Sequence, residues 1–187
     1  MKPFLPLTLL ALATACAAPL PKNVGMPAPP AVPVEAEHEW LKQLAGDWAV
    51  DGEAEMGPDA GKVAMRWVEK ARSFGDYFVV SDVAADFNGM RWDARMTVGW
   101  DPAQKVFVGT WMDTTSHHLW QYRGSLDATR TKLTLEAKGP SMMDPTQTAN
   151  YRDVTEILGP DRKRLTSWIQ TPDGQWVSFM TATATRN

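Results

Sequence analysis

From residue 48 onward the sequence breaks into ten short strand-like stretches with no helical stretch between them, and that succession limits the fold more than any other feature. The stretches are 48–56, 63–73, 76–86, 91–100, 106–113, 117–126, 132–138, 150–158, 164–171 and 176–185. Turn-forming residues separate most of them: Gly57-Pro58-Asp59, Asn88-Gly89, Asp101-Pro102, Gly159-Pro160-Asp161 and Pro172-Asp173-Gly174. Several alternate cleanly. Trp92, Ala94, Met96, Val98 and Trp100 fall on one face and Arg91, Asp93, Arg95 and Thr97 on the other; Leu133, Leu135 and Ala137 likewise oppose Lys132, Thr134, Glu136 and Lys138. Parallel pairing needs crossover segments that are absent here, so the strands pair as antiparallel hairpins. Sequential hairpins leave exposed edges unless the sheet closes on itself. The expected fold is therefore all-β, an antiparallel up-and-down barrel of about ten strands, with a flatter sandwich as the rival.

A short helix precedes the strands. In Glu35–Ala45, acidic residues fill the first turn, Trp40, Leu41 and Leu44 share a face, and Gly46 is placed to end the helix in a left-handed conformation. His38-Glu39 does not begin a zinc-protease motif, because the residue four after His38 is Lys42.

The N-terminus reads as an address. Met1-Lys2 gives a positive start, and the apolar run from Phe4 to Ala13 is far short of the roughly 20 residues of a membrane-spanning helix. The run ends Leu12-Ala13-Thr14-Ala15-Cys16, with small residues directly before the only cysteine. This resembles the lipobox of bacterial lipoproteins, which implies a signal peptide over 1–15 and lipidation of Cys16. The alternative is ordinary cleavage after Ala15, releasing a soluble periplasmic protein. With Ala17-Ala18 and no Asp after the cysteine, the resemblance implies an outer-membrane lipoprotein facing the periplasm. Six prolines between residues 17 and 34 block helix and sheet, so 16–36 is expected to be an extended tether and 37–187 the folded domain.

Gly46-Asp47-Trp48, where the helix meets the first strand, resembles the G-x-W signature of lipocalins and fatty-acid-binding proteins. The resemblance implies that Trp48 closes one end of the barrel beneath a basic side chain, supplied by Arg186 or Arg152. A larger pattern comprises Leu41-x-x-Leu44-x-Gly46-x-Trp48, Gly99-Trp100-Asp101, Lys105-Val106-Phe107, Thr110-Trp111-Met112-Asp113 and Tyr151-Arg152-Asp153-Val154-Thr155. Over about residues 38–186 it resembles a bacterial domain family of unknown function, for which a lipocalin-like barrel is expected. That family supplies no functional residues.

Composition narrows the chemistry. Nineteen Lys and Arg against 22 Asp and Glu give a net charge of −3, which argues against nucleic acid as a partner. A single cysteine excludes an internal disulfide and a cysteine zinc cage. All nine Trp lie in the expected folded domain. Trp67, Trp92, Met96, Trp111, Trp120, Tyr122 and Trp168 are the candidates to line a cavity for a small apolar or amphipathic ligand, with Met65, Met112 and Met180 as gap fillers. Each of these side chains serves equally well as ordinary core, and a filled barrel would make the domain a protein-interaction module. No cofactor motif is present. His117 and His118 are adjacent and on a strand would face opposite ways, though in a turn they could approach Asp113; haem-binding barrels of related shape use a late-strand histidine, and none follows His118, which leaves His118 itself as the axial candidate. Ser73, Ser81 and Ser167 lack a nucleophile-elbow frame. Asp82, Asp93, Arg95, Arg152, Asp153 and Glu156 are the acid–base candidates, but in strands such residues are more often an outer charged face. Binding is therefore expected rather than catalysis. Nothing in the residues sets an oligomeric state.

Overall fold

A computed structural model describes residues 20, 25–28, 30–55 and 61–187. The proposed signal peptide, Cys16 and the Gly57-Pro58-Asp59 turn lie outside the described residues. Residues Pro33–Asn187 form one compact unit. It contains a six-residue helix α1 (Ala36–Leu41), a 3-10 turn (Lys42–Leu44) and ten strands: β1 (Gly46–Glu55), β2 (Lys62–Phe74), β3 (Phe78–Phe87), β4 (Met90–Asp101), β5 (Val106–Asp113), β6 (Trp120–Leu126), β7 (Lys132–Pro140), β8 (Thr148–Gly159), β9 (Arg162–Gln170) and β10 (Trp176–Arg186). Each strand pairs antiparallel with the next, and β10 returns to β1 to close the barrel. Closure gives every strand two neighbours over at least part of its length. The sandwich alternative is thereby excluded.

The hairpins follow local chemistry. Between β3 and β4, Asn88 and Gly89 both have positive φ, 56° and 89°, as a two-residue turn matched to strand twist requires. Alternation assigns the faces: on β4 the inner set is Trp92, Ala94, Met96, Val98 and Trp100, and the register carries it to Ala85, Val83, Ser81 and Val79 on β3. The predicted stretch 117–126 is shortened to begin at Trp120, because His117–Leu119 belongs to the preceding loop.

One end of the barrel is packed shut. Six residues are too few to hold a helix in isolation, and α1 is held by contacts instead. Trp40, Leu41 and Leu44 are buried. The Trp40 Nε1–H donates to the Arg130 carbonyl at 2.7 Å, the Trp100 Nε1–H donates to Glu35 at 2.9 Å, and Arg130 pairs with Glu37 at 2.7 Å. The helix ends before Gly46, contrary to the expected left-handed glycine cap: Ala45 is extended, and Gly46 opens β1 at φ 148°. A Cβ built on Gly46 would lie 2.0 Å from Arg186 Nη1, so glycine is needed there to let the guanidinium pass.

The floor beneath the helix is ionic as well as apolar. Trp48 is 1% exposed and donates its Nε1–H to the Leu44 carbonyl at 3.0 Å. Arg186 stacks over its ring at 4.2 Å and Lys163 at 4.5 Å. Arg152 does not; it lies on the outer face over Trp176. Lys163, 2% exposed, pairs with Glu69 at 2.9 Å, and Ser81 donates to the same carboxylate at 2.9 Å.

The wall is not paired along its full height. The β2–β3 ladder runs only from Val68↔Ala84 to Phe74↔Phe78. Towards the other end, residues 62–67 stay with β1 and 85–87 stay with β4, so β2 and β3 part company there.

Candidate functional site

The end opposite α1 is a mouth lined by aromatic rings. The strand register points Phe87, Trp92, Trp111, Trp120 and Tyr151 inward from β3, β4, β5, β6 and β8. Phe87 lies 6.0 Å from Trp92, and Trp92 lies 6.0 Å from Trp111. Trp120 meets Tyr151 edge-on at 4.9 Å, and Tyr151 meets Phe179 of β10 at 6.2 Å. These tilted and edge-on arrangements are the favoured ones for aromatic pairs. Trp67 of β2 and Met180 of β10 complete the circuit.

Polar groups fix these rings. Asp113 accepts hydrogen bonds from the Trp111 Nε1–H at 3.2 Å and from Thr115 N–H and Oγ–H at 2.8 and 2.5 Å. Burial pushes the Asp113 carboxyl up, but the hydrogen bonds from Thr115, Trp111 and Trp92 outweigh it and hold its pKa below the ordinary value. Tyr151 donates to the Pro140 carbonyl at 2.8 Å and accepts from Met142 N–H at 2.9 Å. Gly139 is required beside Trp120, because a Cβ there would lie 2.4 Å from the indole.

Below the rings, Asp153 of β8 points inward between two neutral hydroxyls. Tyr122 Oη–H donates to its Oδ2 and Ser167 Oγ–H to its Oδ1, each at 2.5 Å. Burial raises the Asp153 pKa above the ordinary carboxylate value, with the two hydrogen bonds opposing it. Burial, and then the adjacent Asp153 charge, push the Tyr122 hydroxyl well above its usual range.

The expected lining residues are not all brought together. Trp67, Trp92, Met96, Trp111, Trp120 and Tyr122 point into the barrel. Trp168 does not: in β9 the inner positions are Lys163, Leu165, Ser167 and Ile169, and Trp168 pairs on the outer face with Arg152 and Ser178. Met112 is likewise outside, opposite Arg95 and 45% exposed. In both strands the alternation offered apolar residues on either face. Of the acid–base candidates, Asp82 with Arg95, Arg152 with Glu136, and Glu156 with Lys132 and Arg164 form outer ion pairs. Asp93 pairs with Arg91 on the same outer face. Asp153 is the exception, and its signal was present: Tyr151, Asp153, Thr155 and Ile157 form one face of that strand. Val154 and Leu158 on the opposite face obscured it. Phe87, Tyr151 and Phe179 also join the rings here, although the sequence candidates do not include them. His118 packs edge-on against Trp120 at 4.8 Å, and its Nε2 has no partner among the described residues. No three metal-ligating side chains converge among the described residues.

The parted strands open the wall beside this interior. A cleft of about 560 Å³ there is lined both by outer-face residues, including Asp51, Arg66 and Asp86, and by inner-face Val50, Trp67 and Ala85.

Residues 34–186 match a family described as protein of unknown function (DUF1579). No curated protein matches the sequence. Among solved structures, a redesigned beta barrel is similar at 12% identity, covering 81% of this chain and 95% of that one, with a TM-score of 0.42.

Proposed function

The chain belongs to the DUF1579 family of proteins of unknown function, and for this member we propose that the closed barrel is a carrier of a small apolar or amphipathic molecule. One observation carries the proposal. Trp67, Trp92, Met96, Trp111, Trp120 and Met180 point inward yet are only half-buried, as are Trp100, Leu126, Ile157 and Leu165 nearer the helix, whereas Trp48, Phe107 and Leu133 at the helix end are 1% exposed. Apolar side chains that stay partly accessible inside a barrel border space their own packing does not fill, and close-packed interiors rarely keep such space without a use. Large rings with few rotatable bonds offer contact area at little entropic cost.

The proposal extends to the address. Lipidation of Cys16 would hold the barrel at the periplasmic face of the outer membrane, with residues 16–36 as spacer, since several acyl chains bind a bilayer firmly at about 0.8 kcal/mol per buried methylene.

A second reading treats the domain as an interaction module. Met90, Leu119, Met142 and Met143, 44–66% exposed, ring the mouth, and exposed apolar rims also suit protein contacts. Gentle extraction followed by native mass spectrometry separates the two. A carrier arrives with a non-covalent small molecule, and its tryptophan emission shifts on titration with long-chain amphiphiles. A bare barrel whose emission no amphiphile moves overturns the carrier proposal.

A further inference from the structure

The charges inside the barrel are divided unevenly between its two ends. At the helix end, Lys163 neutralises Glu69 at 2.9 Å and Arg186 reaches Asp161 at 3.2 Å. In the mouth half, the strand register leaves Asp113 and Asp153 as the charged residues pointing inward among those described, and neither has a cationic partner among the described residues. Asp153 is the deeper of the two, and its two hydrogen-bond donors are both neutral hydroxyls. An ionised carboxylate away from bulk water is costly unless a cation compensates it.

We propose that the molecule carried in the barrel is an organic cation, an amine or quaternary ammonium with an apolar body, its charge set against Asp153 and its body among the mouth tryptophans. The inference rests on the carrier reading and narrows it. Neutral and anionic amphiphiles supply the same apolar contacts but leave Asp153 without a counter-charge, and an anion adds repulsion from both carboxylates. Tyr122 and Ser167 each occupy one lone pair of Asp153, which leaves further lone pairs on each oxygen for the ligand.

The test is a tryptophan-fluorescence titration of the purified protein with dodecyltrimethylammonium, dodecanol and dodecanoate, each below its micelle concentration. The expected order is cation tightest and dodecanoate weakest. Asp153→Asn, which keeps the size of the side chain and offers an NH2 from which one of the two rotatable hydroxyls can accept, should weaken the cation roughly thirtyfold, as loss of one partner of a desolvated charge pair does, while leaving dodecanol unchanged. Equal affinity for all three head groups, or an Asn variant that loses dodecanol and cation alike, overturns the inference and leaves the carrier reading standing. Failure of all three probes to bind the native protein overturns both. The head-group order needs no variant, so it decides the matter even if Asp153→Asn does not fold.

Discussion

At the residue scale, the floor of the barrel depends on Lys163. Burial holds its ammonium below the ordinary lysine pKa, Glu69 opposes that shift, and the nearby Arg186 charge adds to it. Buried ion pairs contribute little net stability over apolar replacements, yet removing one partner strands the other. Lys163→Met should therefore lower the free energy of unfolding by about 3–5 kcal/mol in urea titrations. The triple variant Lys163→Met/Glu69→Leu/Ser81→Ala, which leaves no orphaned polar group, should recover most of the loss. A triple variant as unstable as the single one would show that the lysine acts through packing on Trp48 instead. Gly46-x-Trp48 was legible in the residues as a short motif, but the base over Trp48 was open between Arg186 and Arg152 until the β1–β10 register set Arg186 beside it. Asp153 was not legible: a carboxylate in a strand has the same letter whether it faces water or the interior.

At the element scale, the informative feature is where pairing stops. Strand β2 is bonded to β1 from Lys62 to Ala71, but to β3 only from Val68 onward. Alternate amides of residues 62–67 that face away from β1 therefore lack a ladder partner. Hydrogen exchange followed residue by residue should find those amides, and their counterparts in 85–87, much less protected than Val68–Phe74. Uniform protection along β2 would mean that the wall is continuous and the cleft beside Trp67 closed. Strand existence was readable because hydrophobic alternation and turn residues coincide. The parting was not readable, because nothing in the letters of 62–67 distinguishes a strand with two neighbours from one with a single neighbour.

At the scale of the whole molecule, the helix packs one end of the barrel shut and the aromatic rings gather at the other. Glu35, just before α1, is tied to the shut end through Trp100, and the proposed tether precedes it in sequence. Anchor and barrel are then separable. Cys16→Ser should abolish lipid labelling and membrane retention in cells while leaving the melting temperature and probe binding of the barrel unchanged. Continued lipid labelling of that variant would remove the proposed anchor, and a lowered melting temperature would remove the proposed independence of the two parts.

The sequence alone determined that there would be ten antiparallel strands behind a short helix, since period-two patterning and turn chemistry are local and act wherever the chain goes. It determined the Pro-rich composition of the N-terminal segment for the same reason. Tertiary structure decided which face of each ambiguous strand turned inward, placing Trp168 outside and Asp153 inside. Closure decides this: once β10 meets β1, a single register fixes every side chain as inner or outer, and two faces of similar polarity can be told apart only by that long-range constraint.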